Sequence, residues 1–308
     1  MKSSPRKVLL FGGSGLIGSE LAWKLTRAGI DVLIADKKKP QFSGFNFTNL
    51  DITCEKCVID IISKYHPDVI VHLASPLTTI TESDPLEACK SGVLGSAYIL
   101  EHSTKVNVNR IIIASSLAVY GSGSKYYPNK PLDEDVPPAP NTIYGAMKLC
   151  VENLAAHYRN SGNTDISVIR LSVVLSSKRR TGYTAILVES LRSISQAEEI
   201  ILPAPPDTPI DWIHLDDAVD VFFRAILHRD ELLDKYNVTA DRITLQEIGN
   251  IIKGMNPGIR IKYADQQPLL LPPPQGFSTT RVKNHLKWNP KLSIKDVVKE
   301  IIKHKNPF

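Results

Sequence analysis

The sequence predicts an α/β fold with a doubly wound parallel sheet, and two observations support this prediction. Short apolar runs alternate with helical patterns through the first two-thirds of the 308 residues, which is typical of parallel strands joined by crossover helices. Gly12, Gly15 and Gly18 separate the first apolar run from the first helical pattern, as in turns that let a phosphate approach the backbone.

The elements can be assigned in order along the chain. The apolar runs that predict strands are 7–11, 31–35, 45–49, 69–73, 110–114 and 166–171. Helical patterns lie between them at about 16–28, 54–64, 85–106 and 142–161, and a last helix is predicted at about 293–304. After residue 172 the pattern is less regular, and prolines cluster at 203–209 and 268–274.

The composition indicates an ordinary folded protein of the cytoplasm. Its hydrophobic fraction of 43% is enough for a large buried core. The net charge of +5 is mostly spread along the chain, so it gives little support to nucleic-acid binding. No apolar run approaches the length of a membrane span, and the first residues do not resemble a signal peptide. We therefore expect neither a nucleic-acid nor a membrane partner.

The four cysteines include one close pair, Cys54 and Cys57. A C-x-x-C pair can be redox-active or can supply half of a zinc site. Neither a second such pair nor paired histidines accompany it. We therefore expect free thiols near a helix start, and no metal site.

The glycine turn and the second strand predict a dinucleotide site. Gly12 permits a sharp turn, Gly15 leaves room for a pyrophosphate, and Gly18 lets the next helix pack closely on the sheet. Asp36 ends the second predicted strand, where a carboxylate accepts hydrogen bonds from ribose hydroxyls and repels a 2′-phosphate. This favours NAD over NADP, although lysines 37–39 could pair with a 2′-phosphate if they are not simply solvated.

Three further residues predict proton-transfer chemistry. Tyr144 and Lys148 are four residues apart, so they share one face of a helix. A nearby ammonium lowers the pKa of a phenol, which lets the tyrosine take a proton from a substrate hydroxyl. Ser116 closely follows the strand predicted at 110–114. At this end of a strand, a hydroxyl points into the ligand crevice of the sheet.

Together these motifs resemble the extended short-chain dehydrogenases/reductases of the NAD-dependent epimerase/dehydratase family. The resemblance covers nearly the whole chain and includes Asp51-Ile52, the run 71–74 and the run 215–218. It implies that Ser116, Tyr144 and Lys148 are the catalytic residues, and that His72 and His214 are structural. It also implies a homodimer formed through the helices near 85–106 and 145–160.

The same resemblance implies the domains and the binding residues. We assign residues 1–171 and about 209–240 to a Rossmann-type NAD-binding domain, and about 172–208 and 241–308 to a smaller α/β lobe for substrate. The expected cofactor contacts are Gly12, Ser14, Gly15, Leu16, Ile17, Gly18, Asp36, Asp51, Ile52, Leu73, Ala74, Ser75, Ala114, Ser115, Tyr144, Lys148 and Leu171. The expected substrate contacts are Ser75, Pro76, Ser116, Tyr144, Arg179 and Thr181.

The sequence departs from the family pattern at three places. Gly92 stands where the family often has an asparagine that supports the lysine, and Ser172 begins a run that replaces the usual Tyr-Gly-Pro turn. Ile210 stands where nucleotide-sugar enzymes often carry an arginine before the aspartate. The last two changes argue against a diphosphate pocket, since phosphate pairs favour bidentate arginines. Four other arginines are possible substitutes: Arg179, Arg180, Arg192 and Arg281.

Three functions remain open on these grounds. The first is an NAD-dependent dehydrogenase for a small sugar, sugar acid or hydroxy acid, because the runs 179–184 and 201–205 are similar to members that oxidise erythronate or threonine. The second is a nucleotide-sugar epimerase, such as a UDP-sugar 4-epimerase, with tightly bound NAD. The third is an NAD-binding sensor without catalysis, which the intact Ser116, Tyr144 and Lys148 disfavour.

Overall fold

The computed structural model describes residues 5–41, 43–123, 127–182, 184–194, 197–266 and 271–304, and its strands and helices alternate as predicted. The strands are β1 (Lys7–Phe11), β2 (Asp31–Asp36), β3 (Asn46–Asn49), β4 (Val69–His72), β5 (Arg110–Ser116), β6 (Asp165–Leu171), β7 (Val173–Leu175), β8 (Glu199–Leu202), β9 (Pro209–His214), β10 (Lys235–Val238), β11 (Asp241–Thr244) and β12 (Arg260–Tyr263). The α-helices are α1 (Leu16–Arg27), α2 (Glu55–Tyr65), α3 (Thr78–Ser83), α4 (Pro85–Ala88), α5 (Gly95–Lys105), α6 (Ile143–Ser161), α7 (Ala185–Ser193), α8 (Leu215–Leu227), α9 (Leu245–Met255), α10 (Thr280–Leu286) and α11 (Ile294–Lys303). Within the described ranges, no helix combines the length and the apolar character that a membrane span requires.

Seven parallel strands form the main sheet, in the order β10-β6-β5-β4-β1-β2-β3. Helices α1 and α8 cover one face through an apolar cluster that includes Leu21 and Phe222. Helices α2 and α6 cover the other face through a cluster that includes Ile62 and Val151. The predicted fold class is therefore confirmed. Because β1 lies between β2 and β4, their carboxyl ends border the crevice where α/β sheets bind ligands.

A smaller group of elements follows β6. Strands β11, β9 and β7 form a three-stranded sheet, and β12 pairs with β8. They pack with α7, α9 and α11 around a separate apolar cluster that includes Trp212, Ile248 and Val298. The predicted domain boundaries stay a prediction.

The helix predicted at 85–106 is interrupted in its middle. Between α4 and α5, Cys89–Leu94 form a π-helical turn. A Cβ at Gly92 would lie 2.1 Å from the Sδ of Met147, and one at Gly95 would lie 2.6 Å from Cγ1 of Ile52. The turn thus brings two residues without side chains against their neighbours, a distortion that helical periodicity does not predict.

The expectation that Cys54 and Cys57 are free thiols is wrong. A disulfide joins them, and their Cα atoms are 5.3 Å apart. Cys54 is the N-cap of α2, so the first helical turn brings Cys57 back beside it. Cys89 and Cys150 are free. In the described part of the chain, no cluster of three or more His, Cys, Asp or Glu residues is placed to hold a metal ion.

Candidate active site

The glycine turn after β1 forms a cradle without side chains. Gly12 has a φ of +77°, and a Cβ there would lie 2.4 Å from the backbone nitrogen of Ala74. A Cβ at Gly18 would lie 2.6 Å from the Cα of Gly13, so a larger residue would push α1 away from the turn. Gly15 is the N-cap of α1, and no side chain caps this helix. The N–H groups at the helix start are therefore open to an anion such as a pyrophosphate.

Asp36 lies beside this cradle at the carboxyl end of β2. Its Oδ2 accepts a hydrogen bond from the N–H of Ser14 at 3.0 Å, and its Oδ1 accepts one from the N–H of Lys38 at 3.0 Å. The Nζ of Lys37 lies 2.9 Å from a carboxylate oxygen of Asp51. Lys37 is thus already paired with a carboxylate, which weakens the case that it binds a 2′-phosphate. The cradle and Asp36 fit an NAD whose adenosine ribose meets the carboxylate.

Replacing Asp36 with alanine should weaken NAD binding by about 10- to 100-fold, the cost of losing hydrogen bonds to a charged group. NADP should lose far less affinity, since the substitution also removes a charge that repels its 2′-phosphate. Fluorescence titration of both cofactors measures the two dissociation constants. Asp31→Ala, at the exposed start of β2, is the control. An equal loss of affinity for both cofactors would contradict the ribose contact.

Ser116, Tyr144 and Lys148 come together at the carboxyl end of β5. Tyr144 lies in the first turn of α6, whose N-cap Thr142 accepts a hydrogen bond from the N–H of Gly145 at 3.1 Å. Lys148 follows one helical turn later, and its Nζ lies 5.8 Å from the centre of the Tyr144 ring. The Nζ donates to the carbonyl oxygen of Ala114 at 2.9 Å, which fixes the ammonium at the end of the strand.

Burial changes the ionisation of the tyrosine and the lysine. It raises the pKa of the Tyr144 phenol, while a hydrogen bond with Ser116 and the charge of Arg179 partly oppose the rise in pKa. Burial also lowers the pKa of Lys148 to about 8, against the opposing charge of Glu152. The site therefore holds a protonated phenol and an ammonium that loses its proton readily. The rise in the pKa of Tyr144 is opposite to the lowering expected from Lys148, so Tyr144 must lose its proton before it can act as a base.

A buried network of hydrogen bonds holds the carboxyl end of β5 in place. Glu152 accepts a hydrogen bond from the hydroxyl of Ser115 at 2.6 Å, and both of its oxygens accept from the guanidinium of Arg170. Arg170 also donates to the hydroxyl of Tyr120 at 2.6 Å. Sequence reasoning missed Glu152 and Arg170 as supports, although Glu152 lies one helical turn after Lys148 and faces the same strand.

His72 and Gly92 belong to the packing around this site. The Nε2 of His72 lies 2.8 Å from the hydroxyl of Ser96, which donates to the carbonyl oxygen of Gly92 at 2.5 Å. Burial lowers the pKa of His72 to about 3, with a smaller contribution from the charge of Lys148. His72 is therefore neutral at physiological pH.

A cavity of about 390 Å³ extends from the glycine cradle to Leu187 and Leu245, in the smaller group of elements after β6. The predicted binding residues that line it are Gly12, Gly15, Leu16, Ile17, Gly18, Leu73, Ser75, Pro76, Ala114, Ser115, Ser116, Tyr144, Lys148, Leu171 and Arg179. The predicted residues outside its lining are Ser14, Asp36, Asp51, Ile52, Ala74 and Thr181. Of these, Thr181 is exposed and the others surround the cradle and the strand ends.

Sequence reasoning missed most of the far wall of the cavity. Its members are short segments from distant parts of the chain: Leu77, Thr78, Leu117, Val173, Thr184, Leu187, Pro203, Ala204, Thr208, Ile210, Asp211, Leu245, Leu271, Pro272 and Phe277. No motif marks them, because the fold alone brings them together. Most are apolar, so they would exclude water from a bound substrate.

Of the four candidate arginines, only Arg179 lines the cavity. Its buried Nε has no hydrogen-bond partner in the described part of the chain. Arg180 and Arg192 donate to backbone carbonyls, and Arg281 pairs with carboxylates that include Asp135 at 2.8 Å. The cavity therefore contains one guanidinium that is available to a ligand among these four.

At Ile210, where nucleotide-sugar enzymes often carry an arginine, the nearby arginine is already bound by protein groups. Asp211, next to Ile210, pairs with Arg242 at 2.6 Å. The same guanidinium donates to the carbonyl oxygens of Pro273 and Pro274, each at 2.8 Å. Arg242 is thus neutralised by Asp211 and anchored to two backbone carbonyls, so it does not replace the missing diphosphate ligand.

Solved structures share this architecture. The L-threonine dehydrogenase of Clostridium difficile is 24% identical, and the two chains superimpose with a TM-score of 0.88 over 98% of each. The UDP-glucose 4-epimerase of Thermotoga maritima, solved with UDP-glucose, is 23% identical and has a TM-score of 0.83 over 96% of this chain and 97% of that one. At these identities the likeness shows the shared fold.

Sequence comparisons identify the family. A UDP-glucose 4-epimerase of Azospirillum brasilense is 24% identical over 315 aligned residues, which cover 94% of this chain and 88% of that protein. The sequence profile of the NAD dependent epimerase/dehydratase family matches residues 8–239. This match confirms the family, the enzyme class and the NAD cofactor that the motifs predict. The chain therefore belongs to the NAD-dependent epimerase/dehydratase family of extended short-chain dehydrogenases/reductases.

Proposed function

We propose that this enzyme is a dehydrogenase that oxidises a hydroxyl of a small sugar acid or hydroxy acid and releases NADH. The observation that carries the proposal is the guanidinium of Arg179, which lines the cavity without a partner for its Nε in the described residues. A cation in a largely apolar cavity favours an anionic ligand, since a charge-assisted hydrogen bond is stronger there than in water. A carboxylate meets this need with one group.

Unpaired hydroxyls in the same cavity support a hydroxylated substrate. Ser172, Thr184 and Thr208 line the cavity, and the buried oxygen of each lacks a hydrogen-bond partner within the described residues. Buried polar groups in native proteins nearly always have partners, so these three hydroxyls favour a ligand that brings hydrogen-bonding groups into the cavity. Several hydroxyls and the guanidinium of Arg179 suit a small polyhydroxylated acid better than an apolar alcohol.

Within the described residues no second arginine is available in the cavity, which favours this class of substrate over a nucleotide sugar. A diphosphate carries at least two negative charges, which proteins often bind with bidentate arginines. Arg242, Arg192 and Arg281 are engaged by protein groups instead. The alternative, epimerisation of a UDP-sugar with NAD kept bound, remains the competing function because relatives such as the Azospirillum brasilense protein bear that name.

The residues of the chain suggest a division of roles in this reaction. The chemistry that bound NAD supplies is acceptance of a hydride from the substrate carbon. Tyr144 takes the proton of the reacting hydroxyl, and Ser116, which bonds to Tyr144, holds that oxygen. Lys148 is anchored on Ala114 and stabilises the phenolate as the proton moves. The glycine cradle and Asp36 hold the cofactor, and the apolar far wall excludes water.

A substrate panel tests the proposal. NADH formation from NAD would be measured with D-erythronate, L-threonine, other sugar acids, free aldoses and UDP-sugars, with isomer analysis of each UDP-sugar. We expect net NADH with at least one small acid and no conversion of UDP-glucose to UDP-galactose. Isomer conversion without net NADH would make the enzyme an epimerase. Binding of NAD with no conversion of any substrate would favour the sensor.

We also propose that the enzyme is a cytoplasmic homodimer formed through α4, α5, the turn between them and α6. Three exposed apolar residues on or next to these helices support this. The exposed fractions are 69% for Leu86, 43% for Leu94 and 38% for Ile143. Light scattering should give twice the chain mass of 34.1 kDa. A Leu94→Arg variant should lower that mass, whereas Ile201→Arg, at an exposed site on β8, should not. A wild-type protein that scatters only as a monomer would contradict the dimer.

A further inference from the structure

We infer that Arg192 and Glu300, which lie outside the cavity, position the loop that carries Arg179 and so set the preference for a carboxylate. The inference rests on the proposed function, because these residues would act on the substrate only through Arg179. Both side chains converge on Ser177, two residues before Arg179 in the chain. Neither residue is itself part of the cavity lining.

Arg192 holds the loop from α7. Only 6% of its side chain is exposed, and its Nη2 donates to the carbonyl oxygens of Ser177 and, at 2.8 Å, Arg179. Its ionic partner Glu189 lies 2.9 Å away and is 65% exposed. Burying a guanidinium costs desolvation energy that a mostly exposed partner offsets poorly. The two carbonyls are therefore the contacts that account for the burial of Arg192.

Glu300 holds the same loop from α11. Its Oε1 accepts a hydrogen bond from the N–H of Ser177 at 3.0 Å, and its Oε2 lies 2.8 Å from the Nε2 of His214. Burial raises the pKa of Glu300, but hydrogen bonds from His214 and Ser177 outweigh it and lower the pKa to about 2. The carboxylate is thus charged throughout the physiological range. Ser177 is held at its N–H by Glu300, and its carbonyl oxygen accepts hydrogen bonds from Arg192 and, at 2.7 Å, from Arg180.

Arg179 has a firmly held backbone but a side chain whose Nε has no partner in the described residues, and this contrast indicates that Arg192 and Glu300 position it. The backbone around Arg179 is fixed by two helices, whereas its Nε meets no protein acceptor in the described ranges. A site needs supports of this kind when its charged tip must stay aimed at a ligand. At a reacting centre, a misplacement of about 1 Å can cost about 100-fold in rate. Loss of the support should therefore reduce use of the acid in particular.

The test compares kcat/KM for a hydroxy acid with kcat/KM for the primary amide of the same acid, using D-erythronate and L-threonine as probes. Arg192→Met should lower the acid-to-amide ratio by about tenfold or more, mostly through a higher KM for the acid. The same substitution should change the ratio no further in an Arg179→Met background. Arg192→Lys, which keeps the charge and one donor, should recover part of the ratio, and Glu300→Gln should be milder than Glu300→Leu.

Arg159→Met is the matched control for a purely structural role. Arg159 also holds backbone carbonyls, including that of Leu232 at 2.6 Å, but it lies away from the cavity. Its loss should lower the melting temperature without changing the acid-to-amide ratio. If Arg192→Met does not fold, Arg192→Lys and Glu300→Leu carry the test.

The outcomes separate the two claims. The inference is overturned if Arg192→Met lowers kcat/KM equally for the acid and the amide. It is also overturned if Arg192→Met lowers the acid-to-amide ratio further when Arg179 is already replaced. The proposed function fails instead if Arg179→Met leaves the ratio unchanged, or if the wild-type enzyme oxidises no small acid of the panel. An effect of Arg192 that needs Arg179 supports both.

Discussion

Tyr144→Phe should reduce kcat by about 10²- to 10⁴-fold, the usual contribution of a positioned general base. The substitution removes only the hydroxyl that takes the substrate proton, and it leaves Ser116, Lys148 and the glycine cradle in place. NAD affinity should therefore stay close to that of the wild type. Steady-state NADH formation gives kcat, and quenching of protein fluorescence gives the NAD dissociation constant.

Tyr158→Phe is the control for this experiment. The Tyr158 hydroxyl donates to Glu101 at 2.6 Å on the far side of α6 and does not line the cavity. It should keep wild-type turnover. Unchanged turnover in Tyr144→Phe would remove Tyr144 as the base. A large loss of NAD affinity in that variant would mean that the tyrosine mainly holds the cofactor.

The pH profile should follow from the same residues. Burial raises the pKa of Tyr144, so the phenol is protonated near neutral pH and oxidation, which needs the phenolate, should become faster as pH rises. Burial lowers the pKa of Lys148 to about 8, so above that pH its ammonium loses its proton and stabilises the phenolate less. Oxidation should therefore level off on the alkaline side. Reduction of the product ketone needs the protonated phenol and should slow as pH rises.

Arg179→Met should lower kcat/KM for a carboxylate substrate by about 30-fold or more, since truncating one member of a buried charge pair costs about 2–5 kcal/mol. The primary amide of the same acid has no charge to lose and should be affected far less. Initial rates with both probes, fitted for KM and kcat, measure the difference.

Lys178→Met is the matched control for Arg179. Lys178 is the preceding residue and carries the same charge, but its Nζ points outward and pairs with Glu20 at 2.6 Å. This variant should keep the wild-type preference for the acid. If Arg179→Met and Lys178→Met lower kcat/KM for the acid equally, the preference comes from overall charge and not from the cavity.

The parts of the fold that the sequence predicts best are local in the chain. Gly12, Gly15 and Gly18 occur within one strand–turn–helix, and Asp36 ends the very next strand, so spacing alone places them in one site. Tyr144 and Lys148 lie on one helix, where a separation of four residues fixes their common face. For these residues, backbone geometry translates sequence distance directly into spatial distance.

The remaining features depend on contacts that sequence distance does not reveal. Arg170 on β6 forms an ion pair with Glu152 on α6. Arg242 on β11 neutralises Asp211, its partner on the antiparallel strand β9. The disulfide between Cys54 and Cys57 follows from the cap geometry of α2, which the cysteine count did not predict. The π-helical turn at Cys89–Leu94 likewise reflects close packing around Gly92.

The availability of Arg179 is the clearest case of information that only the structure supplies. In the sequence it is one of four candidate arginines, and only the local resemblance of the run 179–184 distinguishes it. The structure engages Arg180, Arg192 and Arg281 with protein groups and leaves Arg179 on the cavity wall. A choice between substrates thus depends on which charges the fold has already neutralised.

The most direct test of the central claim is the stoichiometry of NADH to oxidised product over many turnovers with the best acid of the panel. A dehydrogenase that binds its substrate through Arg179 should form one NADH for each molecule of acid oxidised, and the Arg179→Met variant should form far less at the same substrate concentration. If NAD stays unreduced while a UDP-sugar is converted to its epimer, the assignment as a dehydrogenase of small acids is contradicted.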